Sequence, residues 1–202
     1  MNQIQSMPKS VFLASTSPRR AELLAQLGIT FEVVNAPVEE VALPGEQADS
    51  FVRRMAIEKA LDGFNKVAGT KVWVIGGDTL VKVGDSVLTK PRNQADAMRM
   101  WRLLSGRTHQ VLSAVAVVYD GEVACALNET QVSFAPMTEA DMLSYWASGE
   151  PQDKAGAYAI QGLGARFIAD LRGSYSAVMG LPLFELTQLL KRFAYFGGEH
   201  EQ

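Results

Sequence analysis

Residues 109–134 read HQVLSAVAVVYDGEVACALNETQVSF. Two apolar runs flank Asp120–Gly121, a dipeptide suited to a tight hairpin turn because both central positions can adopt positive φ. Strands of this length commit the chain to a sheet and reach far enough to build a second lobe. A shorter hairpin is expected at 80–88, where LVKV and SVL flank Gly84–Asp85.

The other segments alternate strand and helix. Val11–Ala14 is a short buried strand. Ser17 offers a capping hydroxyl, Pro18 suits the first helical position, and Leu23, Leu24 and Leu27 recur at helical spacing up to Gly28. Strands are expected at 31–35 and 71–76, the second ending in GGDT. Helices are expected over Ala48–Val67, Ala95–Leu104, from Thr138 to near Gly149, and over Pro182–Phe193. Thr138 with Asp141 three residues on resembles a capping box. The segment 156–168 is punctuated by glycine and partly extended. This order gives an α/β class: a mixed twisted sheet flanked by helices, two lobes and a central cleft. Residues 1–10 form an extension, 11–193 a single domain, and 194–202 a flexible tail.

Composition narrows the function. Of 202 residues, 48% are hydrophobic, enough for a real core. The net charge of −3 argues against general nucleic-acid or anionic-membrane binding. A single cysteine, Cys125, fits a reducing compartment. No apolar run approaches a membrane span and the N-terminus shows no secretory signal, so a cytoplasmic protein is expected.

Arg19 and Arg20 fall in the first turn of a helix, where backbone N–H groups are already partly positive and cations are disfavoured by about 0.3–1 kcal/mol each. Two guanidinium forks beside a helix N-terminus make a phosphate cradle; bending back to pair with nearby acids is the alternative. Asp78, after a buried strand and two glycines, could hold a metal or a water; it could equally cap a turn. Glu40 lies in a proline-bearing acidic loop beside Glu39. Lys59 interrupts an apolar helical stripe, as a snorkelling surface lysine also would. Pro91 keeps Lys90 extended and able to aim. Gln161 stands among small residues, and its amide matches the adjacent carbonyl and N–H of uracil or thymine. There is no G-x-x-x-x-G-K-[ST] loop, no G-x-G-x-x-G fingerprint, no G-x-S-x-G elbow and no histidine pair at metal spacing, His109 and His200 being the only two. Four cations and two carboxylates remain, a set suited to phosphoryl chemistry.

In this order LASTSPRR, VEE, EKA, GGDT, TKP, SGRTHQV, DKAGAYAIQG and GSYSAVMGLPL closely resemble the Maf family of nucleotide pyrophosphatases, from about Val11 to Phe193. The resemblance implies a fold similar to inosine triphosphate pyrophosphatases. It implies Mg2+- or Mn2+-dependent hydrolysis of a nucleoside triphosphate to the monophosphate and pyrophosphate. The specificity positions of the dTTP/UTP branch fall on Arg19, Thr79 and Gln161, and all three match. The other functional positions carry over as Ser17, Arg20, Glu40, Lys59, Asp78 and Lys90, with Glu40 and Asp78 as metal ligands and Asp78 as general base. Gly77 stands where the family usually has alanine, and Thr89 where it has glycine. The resemblance allows a homodimer. A 7-methyl-GTP or modified-nucleotide pyrophosphatase, or a nucleotide-binding regulator of septum formation, are the alternatives.

Overall fold

The computed structural model describes residues 10–196. It contains strands β1 (Val11–Leu13), β2 (Glu32–Val33), β3 (Trp73–Val83), β4 (Ser86–Leu88), β5 (Thr108–Tyr119), β6 (Glu122–Phe134) and β7 (Ile168–Arg172). Its helices are α1 (Pro18–Gln26), α2 (Ala48–Lys66), α3 (Gln94–Leu104), α4 (Glu139–Ala147), α5 (Tyr175–Met179) and α6 (Leu183–Arg192). Short 3-10 turns occupy much of 150–167.

All seven strands form one mixed sheet in the order β2-β1-β3-β5-β6-β7, with β4 paired to β3. β1 runs parallel to β3, as a crossover connection requires, whereas β3, β5, β6 and β7 are antiparallel. The hairpin turn falls where expected, with Asp120 at φ 50° and Gly121 at φ 82°.

Helix α2 covers one face, over Val74, Leu80, Ala114, Ala116 and Val118. On the other face α1 and α6 pack over Leu13, Ile75, Val115 and Val117 at one end of the long strands. At their other end α3, α4 and the 3-10 turns pack over Val81, Val111 and Val132. These two clusters make the two lobes. Among the described residues no helix is long and apolar enough to cross a membrane.

Three expectations need correction. The second strand is two residues rather than five, Glu32–Val33. β3 does not end at GGDT but runs on through Gly76, Gly77, Asp78 and Thr79 to Val83. Asp78 is therefore a mid-strand residue, not one at a strand's carboxyl end. Glycine and aspartate read as turn signals, but here each answers to a tertiary partner described below. The buried stripe of α2 is Val52, Met55, Ala56, Lys59, Ala60 and Gly63, whereas Phe51, Ile57, Leu61 and Phe64 lie at its margins. Of the expected tail, Ala194–Phe196 are described, and Tyr195 stands edge-on to Trp73 at 5.3 Å. The remainder, like most of the expected N-terminal extension, lies outside the described residues.

Candidate active site

β5 pairs with β3 along one edge from Trp73 to Lys82. On the opposite edge β1 covers Trp73–Ile75 and β4 covers Val81–Val83. No strand is paired along that edge between them, at 76–80, among the described residues. The chain leaves β1 into α1 on one side of this gap and leaves β4 into Thr89–Lys90 on the other. A cleft of about 460 Å³ opens there, of a size that holds a small ligand. Ser17, Arg19, Arg20, Glu40, Lys59, Asp78, Thr79, Lys90 and Gln161 all line it. Glu39 does not.

The close approach of α2 brings the acidic centre together. A Cβ on Gly76 would overlap Ala56 O and stand 2.6 Å from Ala60 N, so only glycine lets the helix lie this near the strand. One side-chain length is then enough for Lys59 Nζ to donate to Asp78 Oδ1 at 2.7 Å and to Glu40 Oε1 at 2.5 Å. Lys59 and Asp78 are each 8% exposed. Lys59 is thus no snorkelling surface residue. Burial pushes the Asp78 carboxyl up, and the Lys59 and Arg20 charges only partly oppose it. Burial also acts on Glu40, but there the Lys59 hydrogen bond and charge, with Lys90 and Arg20 further off, win and hold it below the usual range.

Arg20 is turned across the sheet. Its Nε donates to Gly180 O at 2.8 Å and its Nη1 to Ser15 Oγ at 3.3 Å. Burial lowers its guanidinium pKa, with the Asp78 charge opposing. Arg19 reaches Asp153 at 3.4 Å in an exposed pair. Arg19 therefore pairs with an acid and Arg20 with two oxygen acceptors, which offsets two cations in a first turn. Ser17 is the N-cap residue by position, but its side chain makes no capping bond. Ser15 Oγ accepts from Ser17 N at 3.2 Å, one residue ahead of the helix. No Ser17 side-chain cap takes up the first-turn amides, and Ser17, Arg19 and Arg20 line the cleft.

Thr79 points to the sheet face opposite Asp78, since adjacent strand residues alternate. Its hydroxyl lies 2.9 Å from that of Ser113, its register partner on β5, and 3.5 Å from Gly180 O. Gln161 is exposed on the far wall beside Tyr158 and Ala159. Ser15, in a run of small hydroxyl residues, and Ser113, in an apolar strand, carry no local signal of their partners.

The acidic pair suits a divalent cation. Two carboxylate oxygens converge on one ammonium nitrogen, so they also lie close enough to share a small hard cation whose other ligands are phosphate oxygens or water. Glu40 and Asp78 would be its protein ligands. Cys125 sits mid-strand in β6 against the cluster under α2, with its thiol pushed up by burial, as a packing residue does. His109 pairs with Tyr158 at 2.8 Å inside the second lobe. His200 lies outside the described residues.

A family model described as Maf-like protein matches residues 10–193. The dTTP/UTP pyrophosphatase of Hydrogenovibrio crunogenus is 52% identical over 190 residues, 94% of this chain and 99% of that one. The dTTP/UTP pyrophosphatase of Escherichia coli O157:H7 is 50% identical over 184 residues, 91% and 93% of the two chains. Among solved structures, the Staphylococcus aureus Ham1 protein aligns at a TM-score of 0.48 and 12% identity, over 92% of this chain and 100% of that one.

Proposed function

The chain belongs to the Maf-like protein family, and we propose from that membership and from the cleft that it hydrolyses dTTP and UTP to the monophosphate and pyrophosphate. The observation that carries the reading is the buried Lys59–Asp78 pair with Glu40 at its open side, set between the N-terminus of α1 and Lys90.

In this reading the triphosphate lies along the cleft. Ser17, Arg19, Arg20 and the first-turn amides of α1 hold its oxygens. Water attacks the α-phosphorus while Asp78 takes its proton. The bond from that phosphorus to the bridging oxygen breaks, and pyrophosphate leaves. An ordinary aspartate is a weak base, but burial moves Asp78 toward the working pH, which suits the role. Lys59 and Lys90 neutralise charge on the transferring group and on the departing pyrophosphate. A Mg2+ or Mn2+ ion held by Glu40 and Asp78 would supply Lewis-acid stabilisation of the phosphate charge. Gln161 offers a carbonyl and an N–H to the uracil or thymine edge, and Thr79 a hydroxyl. A base with the wrong donor–acceptor pattern leaves these groups unpaired, at about 1–3 kcal/mol.

The test is pyrophosphate release from dTTP, UTP, CTP, GTP and 7-methyl-GTP, with Mg2+, with Mn2+ and with EDTA. The expected result is metal-dependent turnover of dTTP and UTP well above the rest. Preference for 7-methyl-GTP would overturn the base assignment. Absence of turnover from folded protein would overturn the activity.

A further inference from the structure

The amide of Gln161 can read a base edge only if the turn beneath it is held still. That turn, 159–164, is gripped on both sides of Gln161 by two residues that do not line the cleft. The Tyr145 hydroxyl, from α4, accepts the Ala159 N–H at 3.0 Å and donates to Glu150 Oε1 at 2.6 Å. Glu150 Oε1 also accepts the Gly164 N–H at 3.0 Å, and Glu150 Oε2 the Leu163 N–H at 2.8 Å.

The turn is shaped around this grip. A Cβ on Gly162 would stand 2.6 Å from Glu150 Cδ, and one on Gly164 2.5 Å from the Tyr145 hydroxyl oxygen. Only glycine at both positions lets the backbone close on the carboxylate. The frame behind it is rigid. The Tyr145 ring is fully buried, 5.3 Å from the Trp101 ring and 5.4 Å from Phe167. Trp101 Nε1 in turn donates to Ala157 O at 2.9 Å, just before the turn.

We infer that Glu150 and Tyr145 are positioning residues that fix the Gln161 turn and so set the selectivity for uracil and thymine over cytosine. The inference rests on the reading of Gln161 as the base-contacting amide. Three donors converge on the Glu150 carboxylate, and bonds to an ionised acceptor are the stronger kind. Burial alone would raise Glu150, but the Tyr145 hydroxyl and the two N–H groups hold it low. Burial and the Glu150 bond push the Tyr145 hydroxyl well up. The carboxylate is therefore ionised and the phenol protonated around neutral pH, as the grip requires.

The experiment measures kcat/KM for UTP and for CTP in Glu150→Gln, Tyr145→Phe, Gln161→Ala and the double variant Glu150→Gln/Gln161→Ala. Glutamine keeps the volume of Glu150 but offers one acceptor oxygen, and its NH2 meets a backbone N–H donor to donor. A displaced contact group can cost as much as about 100-fold, so a fall of about tenfold in the UTP-to-CTP ratio is expected for Glu150→Gln, chiefly through KM for UTP. Tyr145→Phe removes a single hydroxyl and should move the ratio the same way; it also serves if Glu150→Gln fails to fold. In the double variant the ratio should fall no further than in Gln161→Ala. A merely structural role lowers the active fraction for both nucleotides and leaves the ratio alone, which overturns the inference. So does a double variant whose losses add. If Gln161→Ala itself leaves the ratio unchanged, the base-contact reading fails first and takes the inference with it.

Discussion

Lys59 Nζ donates to Asp78 Oδ1 across 2.7 Å, and both side chains are almost wholly shielded from water. The pair spans helix and strand, and it exists because Gly76 leaves no Cβ between them. Removing the Asp78 charge leaves Lys59 with Glu40, whereas removing Lys59 takes from Asp78 its hydrogen-bonded cation.

Asp78→Asn keeps the volume and can still accept from Lys59, so the fold is expected to survive. Loss of the base should lower kcat by about 100- to 10,000-fold. Circular dichroism and pyrophosphate release check the two halves. A variant near wild-type rates would remove Asp78 from the chemistry.

The titration of Asp78 follows from the same pair. In the metal-free protein burial holds Asp78 above its ordinary 3.8, so titration of its carboxyl followed by NMR should show a midpoint above that value. Lys59 opposes the rise. Lys59→Met should therefore move that midpoint to still higher pH, besides lowering the rate. An unmoved midpoint would mean that Lys59 does not act on this carboxyl.

Gly76 and Gly77 should behave differently on substitution. Gly76→Ala drives a methyl into the backbone of α2, and overpacking of this kind costs typically 1–3 kcal/mol. At Gly77 a Cβ would have Ala114 O and Arg20 Nε as its nearest neighbours, each 3.4 Å away, and φ is ordinary. Gly77→Ala should change stability by less than about 1 kcal/mol. Urea unfolding of the two variants side by side decides the point.

The loop that carries Glu40 is tied to α2 by one arginine. Arg54 donates to both oxygens of Glu46 at 2.7 Å, to Val41 O at 3.0 Å and to Glu58 at 3.0 Å. Arg54→Ala should free residues 41–46 and lower kcat/KM by about tenfold through misplacement of Glu40. Arg54→Lys should recover little, because a point charge cannot copy the fork. Amide exchange over 38–46 should rise with the loss of activity.

His109 makes acid stability fall. Burial lowers it from 6.5 to about 4, so the native protein keeps it neutral while the unfolded chain takes up a proton. Its contribution is whole above pH 6.5 and is lost as the pH drops toward 4, by up to roughly 3 kcal/mol. Denaturant midpoints for wild type and His109→Gln should converge over that interval. Parallel curves would contradict the assignment.

The order of strands and helices could be read from periodicity and turn residues, and the Asp120–Gly121 hairpin fell where its dipeptide placed it. The segment GGDT misled for a physical reason. Its local chemistry favours a turn, and the strand persists only because α2 fills the space above Gly76 and Lys59 compensates the buried Asp78. Lys59 itself looked like a surface residue because its partner lies nineteen positions away. Ser113, thirty-four residues from Thr79, becomes meaningful only through the register of β3 on β5. Glu150 and Tyr145 act across thirteen to fourteen residues of irregular chain, beyond any helical or strand period.

The long strands have one more consequence. Ten residue pairs join β3 to β5 and twelve join β5 to β6, and both ladders pass from one lobe into the other. Hinge-bending enzymes close by rotating domains about a few connecting residues. Here the connection is a continuous antiparallel ladder, whose rupture would cost many hydrogen bonds at once. Relative motion of the lobes therefore has to twist this ladder rather than turn about a few connecting residues. Local tightening around a bound nucleotide falls to the rim segment around 36–40, which neither the Arg54 fork nor the Glu150 grip holds.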